Sequence, residues 1–223
     1  MNILALETSS DACSIALMNR DKIIQRHEVL PQQHANIILD WIAVLLANAN
    51  VIIPELDAIA YSCGPGSYTG IRIAAAVGQG IALAHKKPLI AVPSLRSMAQ
   101  GIYREFGKQK VMLILNARMG QAYCGFYAVG ANDLMVEQHA DVLCSLADID
   151  LSPIDNDQWV VVTDMRDEIT LDLEIFSQVI TQYYPKAQDT VYLAKSFIEQ
   201  GRVPSLEAAL PIYMRSENAW KKL

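Results

Sequence analysis

The sequence predicts an α/β protein of two lobes built to one plan. Three observations carry that expectation. Three short β-type runs are followed by helices and strands in alternation, and the same order recurs more loosely in the second half. With 52% of 223 residues hydrophobic and only 19% charged, the chain also has enough apolar side chains to fill two cores.

Taken in order, Asn2–Leu6, Ala12–Met18 and Ile23–Val29 read as strands, the last two joined by the turn-like Asn19-Arg20-Asp21. His34–Ala47 reads as a helix, Leu56–Cys63 as a strand and Gly70–Ala84 as a second helix. Pro88–Val92 is a further strand, after which Ser94 can cap a helix through Tyr103. The second set opens with strands at Val111–Asn116, Ala122–Val129 and Leu134–Val142, with turns at Gly120 and at Gly130-Ala131-Asn132. A loop around Pro153, a strand at Trp159–Thr163 and helices at Asp172–Tyr183 and Thr190–Gln200 complete it, with Gly201 suited to ending the last helix. The expected division is residues 1–107 for a first lobe and 108–223 for a smaller second one.

Charge narrows the function classes. The net charge of −6 leaves little to gain from neutralising phosphates, so nucleic acid is not an expected ligand of the isolated chain. That charge is uneven, however. Lys86, Lys87, Arg96, Arg104, Lys108, Lys110 and Arg118 crowd one stretch in which Glu105 is the only acid, whereas Asp133 to Glu174 holds half of the 24 acids. Two solvated faces account for this, and so does a molecule with one edge for an anionic partner and another for a basic one. Cys13, Cys63, Cys124 and Cys144 are widely spaced without a C-x-x-C pair and read as small buried residues. The first apolar run, Ile3–Leu6, is cut short by Glu7 and no apolar run reaches membrane length, so the expectation is a cytoplasmic protein with no signal peptide and no membrane contact.

Two helices have unusual faces. In His34–Ala47, the residues Ile37, Ile38, Leu39, Trp41, Ile42, Val44, Leu45 and Leu46 cover more than half the circumference, leaving Asn36, Asp40, Ala43 and Ala47 on the rest. A helix lying on one core needs an apolar stripe of only ~100°, so the surplus is expected to face the other lobe or another chain. Gly70–Ala84 has only Arg72 and Gln79 as strongly polar residues and is otherwise rich in Ala and Gly. Each mid-helix glycine costs roughly 1 kcal/mol against alanine, which points to close approach of a neighbouring backbone. A buried central helix and a bundle between subunits explain it equally well.

The most distinctive segment is Gly64-Pro65-Gly66-Ser67-Tyr68-Thr69-Gly70-Ile71-Arg72, directly after a strand and opening the small-residue helix. Glycines at such a turn allow unusual backbone angles, and Ser67 or Thr69 can cap the helix. The spacing is not that of a P-loop.

Together with Ile3–Ser10, Val92-Pro93-Ser94-Leu95, Asn116–Tyr123 and Pro211–Arg215, this segment resembles the TsaB (YeaZ) family, within the wider TsaD/TsaB (M22 glycoprotease-like) group. The resemblance runs from Met1 to the C-terminus. It implies an ASKHA (actin/heat-shock-chaperone-like) fold of two ribonuclease-H-like lobes, the second reduced. It also implies a non-catalytic scaffold required for threonylcarbamoylation of the adenosine beside the anticodon in tRNAs. Such a scaffold pairs with the TsaD transferase and recruits the TsaE ATPase, ATP being used by the partner subunits with no intrinsic cofactor. A homodimer is expected when TsaD is absent, and tRNA contact only within the complex. Because the family pairs through its first two helices, the interface is expected on His34, Ile37, Ile38, Trp41, Ile42 and Leu45, and on Arg72, Ala75, Ala76 and Gln79. Asn116 departs from the family's usual Asp. If that carboxylate bound a ligand this copy is weakened; if it only orders a turn, asparagine serves.

The residues argue against an enzyme. TsaD-type proteins hold a metal through a His-x-x-x-His pair, whereas His27, His34, His85 and His139 contain no such spacing, so no metal site is expected. ASKHA kinases carry a glycine in the first hairpin, where Glu7-Thr8-Ser9-Ser10-Asp11 has none, leaving Thr8, Ser9, Ser10 and Asp11 as weak nucleotide candidates. Glu7 and Asp11 are the best catalytic candidates by residue type, yet no catalytic set is assigned. Thr163–Asp167 lacks the glycines of a second phosphate loop, and Ser67 does not sit in G-x-S-x-G. The competing reading is a free-standing ASKHA-type phosphotransferase acting on a small molecule.

Overall fold

The first three runs become β1 (Asn2–Glu7), β2 (Ala12–Asn19) and β3 (Lys22–Val29), followed by α1 (His34–Asn48), β4 (Ala58–Ser62), α2 (Tyr68–His85), β5 (Leu89–Val92) and α3 (Ser94–Phe106). The second set is β6 (Lys110–Arg118), β7 (Gln121–Val129), β8 (Met135–Ser145), β9 (Trp159–Thr163) and β10 (Gln178–Ile180), and α4 (Ala187–Glu199) closes the series. The computed structural model describes residues 1–155, 158–203 and 209–214. Among them, no helix is long and apolar enough to cross a membrane.

The chain forms two units, the first made of Met1–Ser97 with Tyr184–Ile212, the second centred on Met98–Tyr183. In the first, the sheet runs β3-β2-β1-β4-β5. The strand β1 pairs antiparallel with β2 and parallel with β4. One face of this sheet presents Leu4, Leu6, Ile15, Leu17, Ile59 and Tyr61 to α1 and α2. The other face carries Ala5, Ala16 and Ala60, small side chains that let α4 lie close over β1, β2 and β4. There the amide of Ala187 donates to the Ser14 hydroxyl at 3.0 Å, satisfying one of the orphan donors at the start of α4.

The second unit repeats the first sheet's order as β8-β7-β6-β9-β10, with β6 in the place of β1. It pairs antiparallel with β7 and parallel with β9. This is the ASKHA-like arrangement of two related lobes, and the second is the reduced one. Where the first unit has α1 and α2, the second has 3₁₀ turns at Leu146–Asp148 and Leu173–Ile175.

Two expectations need correcting. Asp172–Tyr183 is not a helix. The Asp172 carboxylate accepts the amide of Glu174 at 2.9 Å to cap a single 3₁₀ turn, and Gln178–Ile180 then adds to the sheet beside β9. The neighbouring Val179-Ile180-Thr181 are β-branched residues that fit a pleated surface better than a helix. The lobe division at residue 107 also differs from the packing, because α4 covers the first sheet and not the second. The apolar residues of α4 need a large sheet face, and the alanine-lined face of the first sheet supplies it.

Candidate functional site

Four of the five resemblance segments meet at the C-terminal end of β1 and β4. The β1–β2 turn lies against the Gly64–Arg72 loop, and the Ser67 amide donates to the Ser9 carbonyl at 2.7 Å. A Cβ on Gly66 would overlap the Ser9 carbonyl, and one on Gly70 would overlap that of Thr8. These glycines therefore serve backbone contact within the chain. Ser67 caps α2 by accepting from the Gly70 amide at 3.2 Å. The Ser94 amide donates to the Gly64 carbonyl and the Ser94 hydroxyl to that of Pro65. The Ile212 amide donates to the Cys63 carbonyl at 2.7 Å, bringing in the C-terminal segment, whose Arg215 lies outside the described residues.

This packing consumes most of the nucleotide candidates. Thr8 is buried and its hydroxyl donates to the Gly70 carbonyl at 2.7 Å. Ser9 is buried, with its amide donating to Glu7 at 2.6 Å and its hydroxyl also bonded there. The Ser10 hydroxyl accepts from the Ala12 amide at 3.2 Å, and Asp11 is the exposed member of the set. The turn is thus a latch holding the glycine loop to β1. Its centre is Glu7, which is fully buried and accepts from the Ser62 hydroxyl as well as from Ser9. Burial raises its carboxyl above the ordinary value of 4.5, and the hydrogen bonds from Ser62 and Ser9 only partly offset that.

Asn116 behaves as a turn residue. Its side-chain oxygen accepts the Arg118 amide at 2.7 Å, fixing the β6–β7 hairpin, in which Arg118, Met119 and Gly120 all have positive φ. An amide oxygen accepts here as well as a carboxylate oxygen does. Among the described residues, no group of three or more His, Cys, Asp or Glu side chains is placed to hold a metal ion.

The helices α1 and α2 lie side by side on the first sheet, and the structure divides the expected interface residues sharply. Ile38, Trp41, Ile42 and Leu45 of α1 and Ala75 of α2 are buried in this unit's own core, so they do not face a partner. His34 is buried too, and Ile37 is half-buried. Gln79 is half-buried, and its amide donates to the Ala209 carbonyl at 3.2 Å. Of the expected set, Arg72 and Ala76 are exposed.

What does face outward is a largely different set, sharing Arg72 and Ala76 with the expected one. On α1, Leu39 is 61% exposed and Val44 52%, with Asn36, Asp40, Ala43 and Ala47 on the same side. On α2, Thr69, Arg72, Ala76, Gly80 and Leu83 fall on one stripe at about 100° per residue. Leu83 is 70% exposed, and the Arg72 guanidinium lies 3.8 Å from the centre of the Tyr68 ring. Gly70 and Gly78 are explained within the chain, the latter by Leu89 Cδ1 at 3.1 Å from an added Cβ. Gly80 is not: among the described residues, nothing lies within 4 Å of the Cβ it lacks. The sequence signal for this face was the side of α1 set aside as its polar remainder.

Fold and loop together define the class, and the comparisons agree. A family model described as "TsaD: tRNA N6-adenosine threonylcarbamoyltransferase" matches residues 22–165. Within that class the chain belongs to the TsaB family. The Escherichia coli (strain K12) "tRNA threonylcarbamoyladenosine biosynthesis protein TsaB" is 31% identical over 100% of this chain and 98% of its own length. The Bacillus subtilis (strain 168) protein of that name is 27% identical over 100% of this chain and 97% of its own. The solved structure of YeaZ from Pseudomonas aeruginosa superposes with a TM-score of 0.86 at 31% identity, covering 95% of this chain and 99% of that one.

Proposed function

We propose that this chain is a non-catalytic subunit serving the threonylcarbamoylation of tRNA adenosine, and that it docks a TsaD-type transferase through the outer faces of α1 and α2. The observation that carries the docking reading is Gly80, an open mid-helix glycine flanked by exposed Ala76 and Leu83. A glycine with no neighbour among the described residues lowers helix stability by roughly 1 kcal/mol and gains nothing from them. A partner helix approaching closely along the small-residue stripe uses the space it leaves. The names carried by the full-length relatives supply the pathway. The absence of a His-x-x-x-His pair in the sequence and the internal use of Thr8, Ser9 and Ser10 favour a scaffold over a free-standing phosphotransferase.

In this reading the TsaE ATPase and tRNA join only the assembled pair, and the partner subunits use the ATP. Without the transferase, the same face supports a homodimer. The test is light scattering of the purified chain, alone and mixed with its cognate transferase. A homodimer that yields to a heterodimer is the expected result. A chain indifferent to the transferase overturns the docking reading and makes ATP titration the next measurement.

A further inference from the structure

The second sheet places two of the four cysteines together. Cys124 on β7 and Cys144 on β8 have their sulfurs 3.7 Å apart, and both side chains belong to the apolar cluster around Met112, Phe126 and Trp159. In the strand register Cys124 lies opposite Val142 and Cys144 opposite Ala122, so the pair is a diagonal one across two antiparallel strands. The register is irregular immediately after Cys124, and Cys144 is the penultimate residue of β8, so the strands can adjust locally here. The two thiols also differ in access. Cys124 is 2% exposed, whereas Cys144 is half-buried. Cys13 and Cys63 are both buried and are held in the other unit.

We propose that Cys124 and Cys144 form a redox-modifiable pair, with Cys144 as the entry thiol and Cys124 as the resolving thiol, closing a cross-strand disulfide in the presence of a low-molecular-weight disulfide. The Cys144 thiolate attacks one sulfur of glutathione disulfide. That S–S bond breaks, and one glutathione leaves as a thiolate that takes up a proton. The Cys124 thiol then loses its proton to solvent and attacks the Cys144 sulfur. The mixed disulfide breaks, and the second glutathione leaves as a thiolate that takes up a proton. Two electrons pass from the cysteine pair to the glutathione disulfide, yielding one protein disulfide and two glutathione molecules. Burial raises the Cys124 thiol well above its ordinary value, so the second step is the slower one and the mixed disulfide accumulates first.

The test is treatment of the folded protein with glutathione disulfide, quenching by alkylation at intervals, and intact and peptide mass spectrometry. The expected course is one glutathione on Cys144, then its loss with a Cys124–Cys144 crosslink that dithiothreitol reverses. Cys124→Ser is expected to stop at a persistent adduct on Cys144, and Cys144→Ser to leave Cys124 unmodified. An adduct on the wild type that never resolves, a crosslink between chains, or no reaction at Cys144 overturns the proposal. Should either variant fold poorly, the time course on the wild type decides alone.

Discussion

Gly80 separates folding from docking within a single residue. Among the described residues, nothing lies within 4 Å of the Cβ that alanine would add, so Gly80→Ala meets no steric opposition from them. The substitution recovers helix propensity and reduces the freedom of the unfolded chain, together worth about 1 kcal/mol. For a protein of 223 residues that corresponds to a rise in Tm of about 2–4 °C. Gly78 is the internal control. An added Cβ there stands 3.1 Å from Leu89 Cδ1, so crowding offsets the propensity gain and little or no rise is expected.

Docking responds in the opposite sense. If a partner helix uses the space over Gly80, Gly80→Leu fills it and forces the helices apart, with affinity for the transferase falling at least about tenfold, or ~1.4 kcal/mol. The assay pairs calorimetric melting of the isolated chain with a titration against the transferase followed by light scattering. Loss of stability in Gly80→Ala would refute the open-space argument. A Gly80→Leu chain that melts normally and binds with unchanged affinity would refute the docking face.

Three further outcomes follow from the geometry. Glu7→Gln is expected to flatten the fall of Tm that the wild type shows as pH rises from about 4 to 7. The folded-state carboxyl is raised above 4.5, so its stabilising contribution is complete only below the unfolded value and is lost as pH rises; paired melts across that range check it. Asn116→Ala should lower stability by about 1 kcal/mol in urea titration by leaving the Arg118 amide without its acceptor, while Asn116→Asp keeps the hairpin turn. Within the assembled complex, Lys108→Glu is expected to weaken tRNA binding in filter assays without disturbing assembly. Lys110→Glu is the poorer probe because its ammonium bonds Asp155 at 2.8 Å, so its reversal also breaks an ion pair.

The duplicated plan was legible because each sheet is built from local signals. β-type runs separated by turn residues mark β1–β3 and again β6–β8, and Trp159–Thr163 is a continuous apolar strand with the same bounds in the structure. What escaped was decided by contacts distant in sequence. Gln178–Ile180 is a strand because β9 offers it an edge, and no local periodicity announces that. The placement of α4 depends on Ala5, Ala16 and Ala60, residues more than a hundred positions away.

The proposed docking face shows how periodicity and chemistry can point in different directions. The apolar excess of α1 suggested a second buried surface, and its bulkiest members were the natural choice for it. Yet Trp41 and Ile38 belong to the core, where large side chains fill the space between helix and sheet. Trp41→Glu would therefore test folding more than association. The outward surface of α1 and α2, the proposed docking face, combines small residues with Leu39, Val44 and Leu83 as large apolar members. Small residues permit close helix approach, and a few exposed aliphatic side chains at its margins supply apolar area to bury. A chain with such a face retains a well-packed lobe on its own, so the cost of leaving the partner falls on the exposed stripe and not on the core.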